Sequence, residues 1–105
     1  MKEFIIDGSK FKNIKEFYNE IDKVFTRNLK WKTGHNLDAF NDVLRGGFGV
    51  HNNEAIKIKW INYEQSKKNL GNEMILKIIE IILDFDNSGH DCKLELYKWN
   101  NIDNP

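Results

Sequence analysis

The chain has one cysteine, Cys92, so it can close no internal disulfide and build no zinc site on cysteines. Its one proline is Pro105, and no proline-rich linker or low-complexity tract divides the chain. Arginine is scarce, two residues against fourteen lysines, and acids balance bases at sixteen each. A generic nucleic-acid binder carries a clear basic excess, so zero net charge argues against that class. No apolar run approaches the roughly 20 residues a membrane helix needs. Seven glycines and scattered aromatics interrupt any long heptad. The opening Met1–Asp7 stretch has an acid at position 3 and reaches a polar turn by Asp7, unlike a secretory leader. With the cysteine usage, this makes the cytoplasm the expected location.

What is present is 105 residues, 40% hydrophobic and 30% charged, which predicts one globular domain. We expect it to span residues 1–99, with 100–105 as a loose tail. Lys2–Asp7 reads as a strand, and Asp7-Gly8-Ser9 as a turn. Asn13 can cap a helix whose stripe is Ile14, Phe17, Tyr18, Ile21, Val24 and Phe25. A second helix is predicted over Asn36–Leu44, with Leu37, Phe40, Val43 and Leu44 inward and Gly46 and Gly47 marking its end. Ala55–Trp60 and Cys92–Trp99 alternate as half-buried strands, the latter with Cys92, Leu94 and Leu96 inward. Between them, Asn62–Leu70 and Asn72–Phe85 read as helices, the second burying Met74, Ile75, Ile78, Ile79, Ile82 and Leu83. Strands separated by helices predict an α/β fold with a three-stranded parallel sheet. Alternation in two strands predicts helices mainly on one face.

The segment Gly34–Leu44 contains no Lys or Arg. Asp38 and Asp42, four apart, share the outer face of the predicted helix. Like charges at that spacing repel by a few tenths of a kcal/mol, and Asp42 sits near the negative end of the helix dipole. The pair is either an ordinary solvated face or a carboxylate pair offered to a cationic partner, and spacing alone leaves both open.

The residues Gly34, Asn36-Leu37-Asp38-Ala39, Asp42, Leu44 and Gly46, followed by Trp60 and Glu64-Gln65-Ser66-Lys67, resemble the barstar family, intracellular inhibitors of a bacterial ribonuclease. Ile6-Asp7-Gly8 is similar to the family's opening strand and turn. The resemblance covers roughly residues 2 to 97. It implies three parallel strands with helices packed mainly on one face. It also implies a protein that inhibits a small basic nuclease, as an antitoxin or immunity protein, by laying the second helix and its preceding loop into the active site. Asp38 and Asp42 become the principal contacts, with Asp42 in the place of the substrate phosphate. Asn36, Asn41, Arg45, Gly46, Trp31, Lys32, Thr33 and His35 complete the implied face. Neither a cofactor, a membrane nor direct nucleic-acid contact is expected.

Three features depart from the family pattern. Lys32-Thr33 stands where the family carries tyrosines; Arg45 stands where the family contact is neutral, with Gly46-Gly47-Phe48-Gly49 in place of a Gly-Trp pair; and Ile81, with Glu80 beside it, stands where the family has an acid. They imply a partner that differs in detail, and leave open a binding module of the same fold with a non-nuclease partner.

No enzyme is expected, because no nucleophile elbow, zinc-protease motif or phosphate loop occurs. His35, Asp38 and Asp42 have spacings that could ligate a metal, but too few clearly converge, and no metal site is expected. Cys92 reads as a buried structural thiol. Lys57, Lys59, Lys67 and Lys68 with Trp60 and Tyr63 read either as a basic patch or, preferably, as solvated faces.

Overall fold

In a computed structural model the chain is described over residues 2–25, 36–44, 55–84 and 92–100, apart from the side chains of Asp42 and Val43. Strand β1 is Lys2–Asp7 and leads through a 3-10 turn, Gly8–Lys10, into helix α1, Ile14–Phe25. Helix α2 is Leu37–Leu44 and strand β2 is Ile56–Ile61. Helices α3, Tyr63–Leu70, and α4, Asn72–Ile82, lead to strand β3, Cys92–Leu96. The sheet has the order β1-β2-β3, and both pairings are parallel. The α/β class, the element order and the parallel sheet agree with expectation.

Helix α1 starts where its sequence allows. The Glu16 N–H donates to Asn13 Oδ1 at 2.9 Å, and the Lys12 N–H donates to Glu16 Oε1 at 2.7 Å. These reciprocal bonds satisfy donors that a helix start otherwise leaves orphaned. The stripe of α1 then packs on the sheet. Phe17 lies against Phe11, Phe40 and Trp60, with ring centroids 5.3, 5.6 and 6.3 Å away. Phe4 of β1 stacks on Phe25 at 4.4 Å. Ile6, Ile56, Ile58 and Trp60 supply the sheet side of this core, and Ile75, Ile78 and Ile82 the α4 side.

Three expectations need correction. Helix α4 ends at Ile82, because Asp84 takes a left-handed backbone (φ 55°) that no helix continues. Leu83 is therefore exposed instead of buried in the core. Strand β3 stops at Leu96, because the carbonyls of Tyr97, Lys98 and Trp99 turn to accept the N–H groups of Tyr63, Glu64 and Asn62. Leu96 itself is largely exposed, and Cys92 is half-buried, since both stand on an edge strand. The expected connections Thr26–Gly34 and Gly49–Asn53, the turn 87–89 and the tail from 101 lie outside the described residues.

The C-terminal end of the sheet is tied by polar bonds. Asp7 Oδ1 accepts from the Ser9 N–H and hydroxyl at 2.9 and 2.7 Å and from Asn62 Nδ2 at 2.9 Å. Burial works against its charge, but the bonds from Asn62 and Ser9, with nearby Lys10, hold its carboxyl below the usual range. Glu20 of α1, only 7% exposed, accepts the Asp7 N–H at 3.2 Å. Burial pushes its carboxyl up, and the Asp7 charge adds to that; the bond from the Asp7 N–H and the charges of Lys23 and Lys10 oppose it only in part.

Two outcomes follow at this end. A Cβ at Gly8 would run into Asn62 O and Ser66 Oγ, so Gly8→Ala lowers stability by about 1–3 kcal/mol in urea denaturation. A glutamate whose carboxyl is raised in the fold binds more protons folded than unfolded, so its contribution falls as pH rises through that window. A glutamine at position 20 can still accept the Asp7 N–H without the charge. Glu20→Gln therefore gains about 0.5–1 kcal/mol at pH 7, and the gain vanishes below the ordinary glutamate range; a loss at both pH values would refute this account.

Candidate functional site

Helix α2 is short, and its placement depends on few contacts. Asn36 Oδ1 accepts the Ala39 N–H at 2.8 Å, and Asn36 O accepts the Phe40 N–H at 3.1 Å, so the residue preceding the helix caps it. Phe40 and Leu44, one turn apart, are fully buried. The Phe40 ring meets Phe17 and Phe25 edge-on, at 5.6 and 6.5 Å between centroids. The inward face is thus pinned to α1, and the opposite face is left to solvent.

Asp38 stands exposed in the first turn of α2, where the helix dipole favours a carboxylate. Asp42 falls four positions on in the same helix. The last turn carries no base, so the helix has no internal countercharge. Asn36 is exposed and Asn41 half-buried. The other expected face residues, Trp31, Lys32, Thr33, His35, Arg45 and Gly46, lie outside the described residues, as do the side chain of Asp42 and that of Val43, expected to turn inward.

The structure adds a second wall. A groove of about 300 Å³ runs between α2 and α4, lined by Leu37, Asp38 and Asn41 on one side and Lys77, Glu80 and Ile81 on the other. Its apolar parts are Leu37 and Ile81; its rim carries two carboxylates, Asp38 and Glu80, and the single ammonium of Lys77. Glu80 is the acid that sequence reading places beside Ile81. Lys77 is a residue that reading missed. Its place by α2 comes from helix packing across some 40 residues of chain, which no local pattern records.

The lysine patch resolves toward its bland reading. Lys57 Nζ pairs with Glu95 Oε2 at 3.1 Å, and Lys59 Nζ with Glu3 Oε1 at 3.2 Å, across the sheet face away from the described helices. Their charges are already answered by acids on the neighbouring strands. Trp60 is fully buried and its indole N–H donates to Ser66 Oγ at 2.9 Å, so it is no stacking platform. Among the described residues no three His, Cys, Asp or Glu side chains gather as a metal site, and no helix is long and apolar enough to cross a membrane.

Residues 1–97 match the family model described as Barstar (barnase inhibitor). No curated protein matches the chain.

If Asn36 holds the start of the acidic helix, Asn36→Ala costs about 1 kcal/mol in thermal or urea unfolding, and Asn36→Asp, which can accept the same N–H, costs far less.

Proposed function

The chain belongs to the barstar family, and from that premise we propose that it is a protein inhibitor of a ribonuclease, acting as an antitoxin or immunity protein. Helix α2 and the loop before it enter the nuclease active site and occlude it. Asp38 and Asp42 accept the charge-assisted hydrogen bonds that the enzyme's cations otherwise give to substrate phosphate. Asn36, Asn41, His35, Trp31, Lys32, Thr33, Arg45 and Gly46 complete the contact face, and Glu80 extends its acidic rim from α4. No catalytic step and no cofactor is involved. The partner is a small, basic nuclease, and the two proteins meet in the cytoplasm.

The observation that carries this reading is Asp38. It is a carboxylate on the solvent side of a helix whose other side is locked into the core. A rigid helix that presents an acid without a base in its last turn suits a cationic cleft. Truncating a charged contact at the centre of such an interface costs more than rim contacts do, a behaviour for which the barnase–barstar complex is the standard example.

A second reading has its own support. Ile81 stands where the family carries an acid, and Lys77 joins the groove beside it. A barstar-fold module with a non-nuclease protein partner would tolerate both changes.

The two readings separate in one experiment. The tagged protein and its Asp38→Ala/Asp42→Ala variant are used to capture partners from the source organism's lysate, and the captured protein is assayed for RNA cleavage. A nuclease inhibited by wild type, with inhibition weakened about 30-fold or more in the double variant and unchanged by Lys67→Ala, supports the proposal. A partner held equally by both proteins, or one without nuclease activity, refutes it.

A further inference from the structure

Among the described residues, Lys77 is the one cation that lines the groove between α2 and α4. Acids surround it. Asp38 stands on the opposite wall, Glu80 follows one turn later on α4, and Glu73 lies one turn earlier on the same helix. On a helix, spacings of three and four bring charged side chains within reach of each other. Yet no ion pair among the described residues uses Lys77. The lysines of the sheet differ, since Lys57 and Lys59 are each held by an acid on a neighbouring strand. Lys77 is also exposed, while Glu80, Ile81 and Leu37 beside it are half-buried. The fold therefore uses the charges of the sheet lysines and leaves that of Lys77 at the groove rim.

That free charge bears on the choice of partner. A cleft that is cationic throughout suits Asp38 and Glu80 but meets Lys77 with like charge, and like charges brought together at an interface suppress the complex. A partner with an acid at that one point turns the same contact into an attraction. The groove offers two carboxylates and one ammonium, with Leu37 and Ile81 as apolar surface. Its complement is a mainly basic surface with a single inverted charge.

We propose, on the reading of the chain as a ribonuclease inhibitor, that Lys77 is a specificity-determining residue. It pairs with a carboxylate that the partner nuclease carries at the edge of its cationic active site. It also disfavours nucleases that have a cation at that point. Asp38 and Asp42 do not supply this discrimination. Carboxylates on α2 suit any cleft built to hold phosphate, so they serve affinity for the whole class. An ammonium on the neighbouring helix separates members of the class, because it attracts one partner and repels another. Lysine fits this role, since its flexible four-carbon stem lets a compact charge reach across a rim.

The probe is the nuclease captured from the source organism's lysate by the tagged wild-type protein, purified and titrated with each variant in an RNA-cleavage assay. Lys77→Gln is expected to weaken inhibition about fivefold or more, and Lys77→Glu about 30-fold or more. Circular dichroism confirms that both variants fold. A carbodiimide, which condenses an amine and a carboxylate in contact with loss of water, is expected to link Lys77 Nζ to an Asp or Glu of the nuclease. Replacing that acid by Lys should restore tight binding to Lys77→Glu. Inhibition that tightens in Lys77→Gln overturns the proposal, because a cation then faces Lys77. Inhibition that neither variant changes overturns it too. The Asp38→Ala/Asp42→Ala variant, titrated alongside, separates the two levels. If it loses inhibition and the Lys77 variants do not, the inhibitor reading stands and the role of Lys77 falls. If no nuclease is captured, or the double variant inhibits as well as wild type, the inhibitor reading fails and the role of Lys77 falls with it.

Discussion

The fold depends on one carboxylate at the C-terminal end of the sheet. Asp7 ends β1, takes three hydrogen bonds from Ser9 and Asn62, and so joins β1 to the start of α3, 55 residues away along the chain. Gly8 lies directly against Asn62 O and Ser66 Oγ, an approach only a residue without a Cβ permits. Ser66, pressed there, accepts the indole N–H of Trp60 at the centre of the core. Asn62 holds a left-handed backbone (φ 52°) and has no side-chain bond to cap α3. The cap comes from the chain after β3, whose carbonyls at Tyr97, Lys98 and Trp99 take three N–H groups at the helix start. All three strand ends therefore meet in one polar knot, and a change in any one member loosens contacts between distant parts of the chain.

That knot also determines where function can lie. Parallel sheets usually bind ligands beyond the carboxyl ends of their strands. Here that end is filled by the chain's own side chains and carbonyls. Helix α4 starts near this end and runs back toward the beginning of β3, so the residues it gives to the groove, Lys77, Glu80 and Ile81, come from its later turns. The accessible acid of α2 is therefore set apart from the structural acids. The sheet face away from the described helices is similarly occupied, since its lysines and acids answer one another across strands. Among the described residues no helix covers this face, and its charges are paired across strands.

Much of this was legible in the sequence because the signals were local. Asn13 announced its helix by residue type and position and caps as read, while Asn36, read as the first residue of its helix, caps it instead. The strands Lys2–Asp7 and Ile56–Ile61 followed from runs and alternation within one or two residues. Periodicity failed where a pattern outlasted its element. Leu83 continues the stripe of α4, but a left-handed residue stops the helix beside it, and Leu96 continues the alternation of β3 on an edge that leaves it exposed. What depended on distant packing was invisible: the burial of Glu20 beneath Asp7, the need for glycine at position 8, and the approach of Lys77 and Glu80 to α2. Asp38 was legible as an acid on an outer face, while the word inhibitor came from family membership and not from spacing.

The chain's acids divide into two kinds, and the division bears on what α2 is for. Asp7 and Glu20 are embedded in hydrogen bonds, and their proton affinities are displaced in opposite directions: burial and the Asp7 charge push Glu20 up, while the bonds from Asn62 and Ser9 hold Asp7 down against burial. They are acids the fold uses. Asp38 is exposed, sits in a first turn where a helix favours negative charge, and belongs to a helix held by Phe40, Leu44 and the Asn36 cap instead. Asp42 lies nearer the other end of the same dipole, where a carboxylate is mildly unfavourable. A helix selected for stability alone gains from a neutral or basic residue at that position. Retaining an acid there has a small cost to the free protein, and a cationic partner that neutralises the carboxylate removes that cost on binding. The position thus fits the proposed function, in which a positively charged cleft receives the carboxylate.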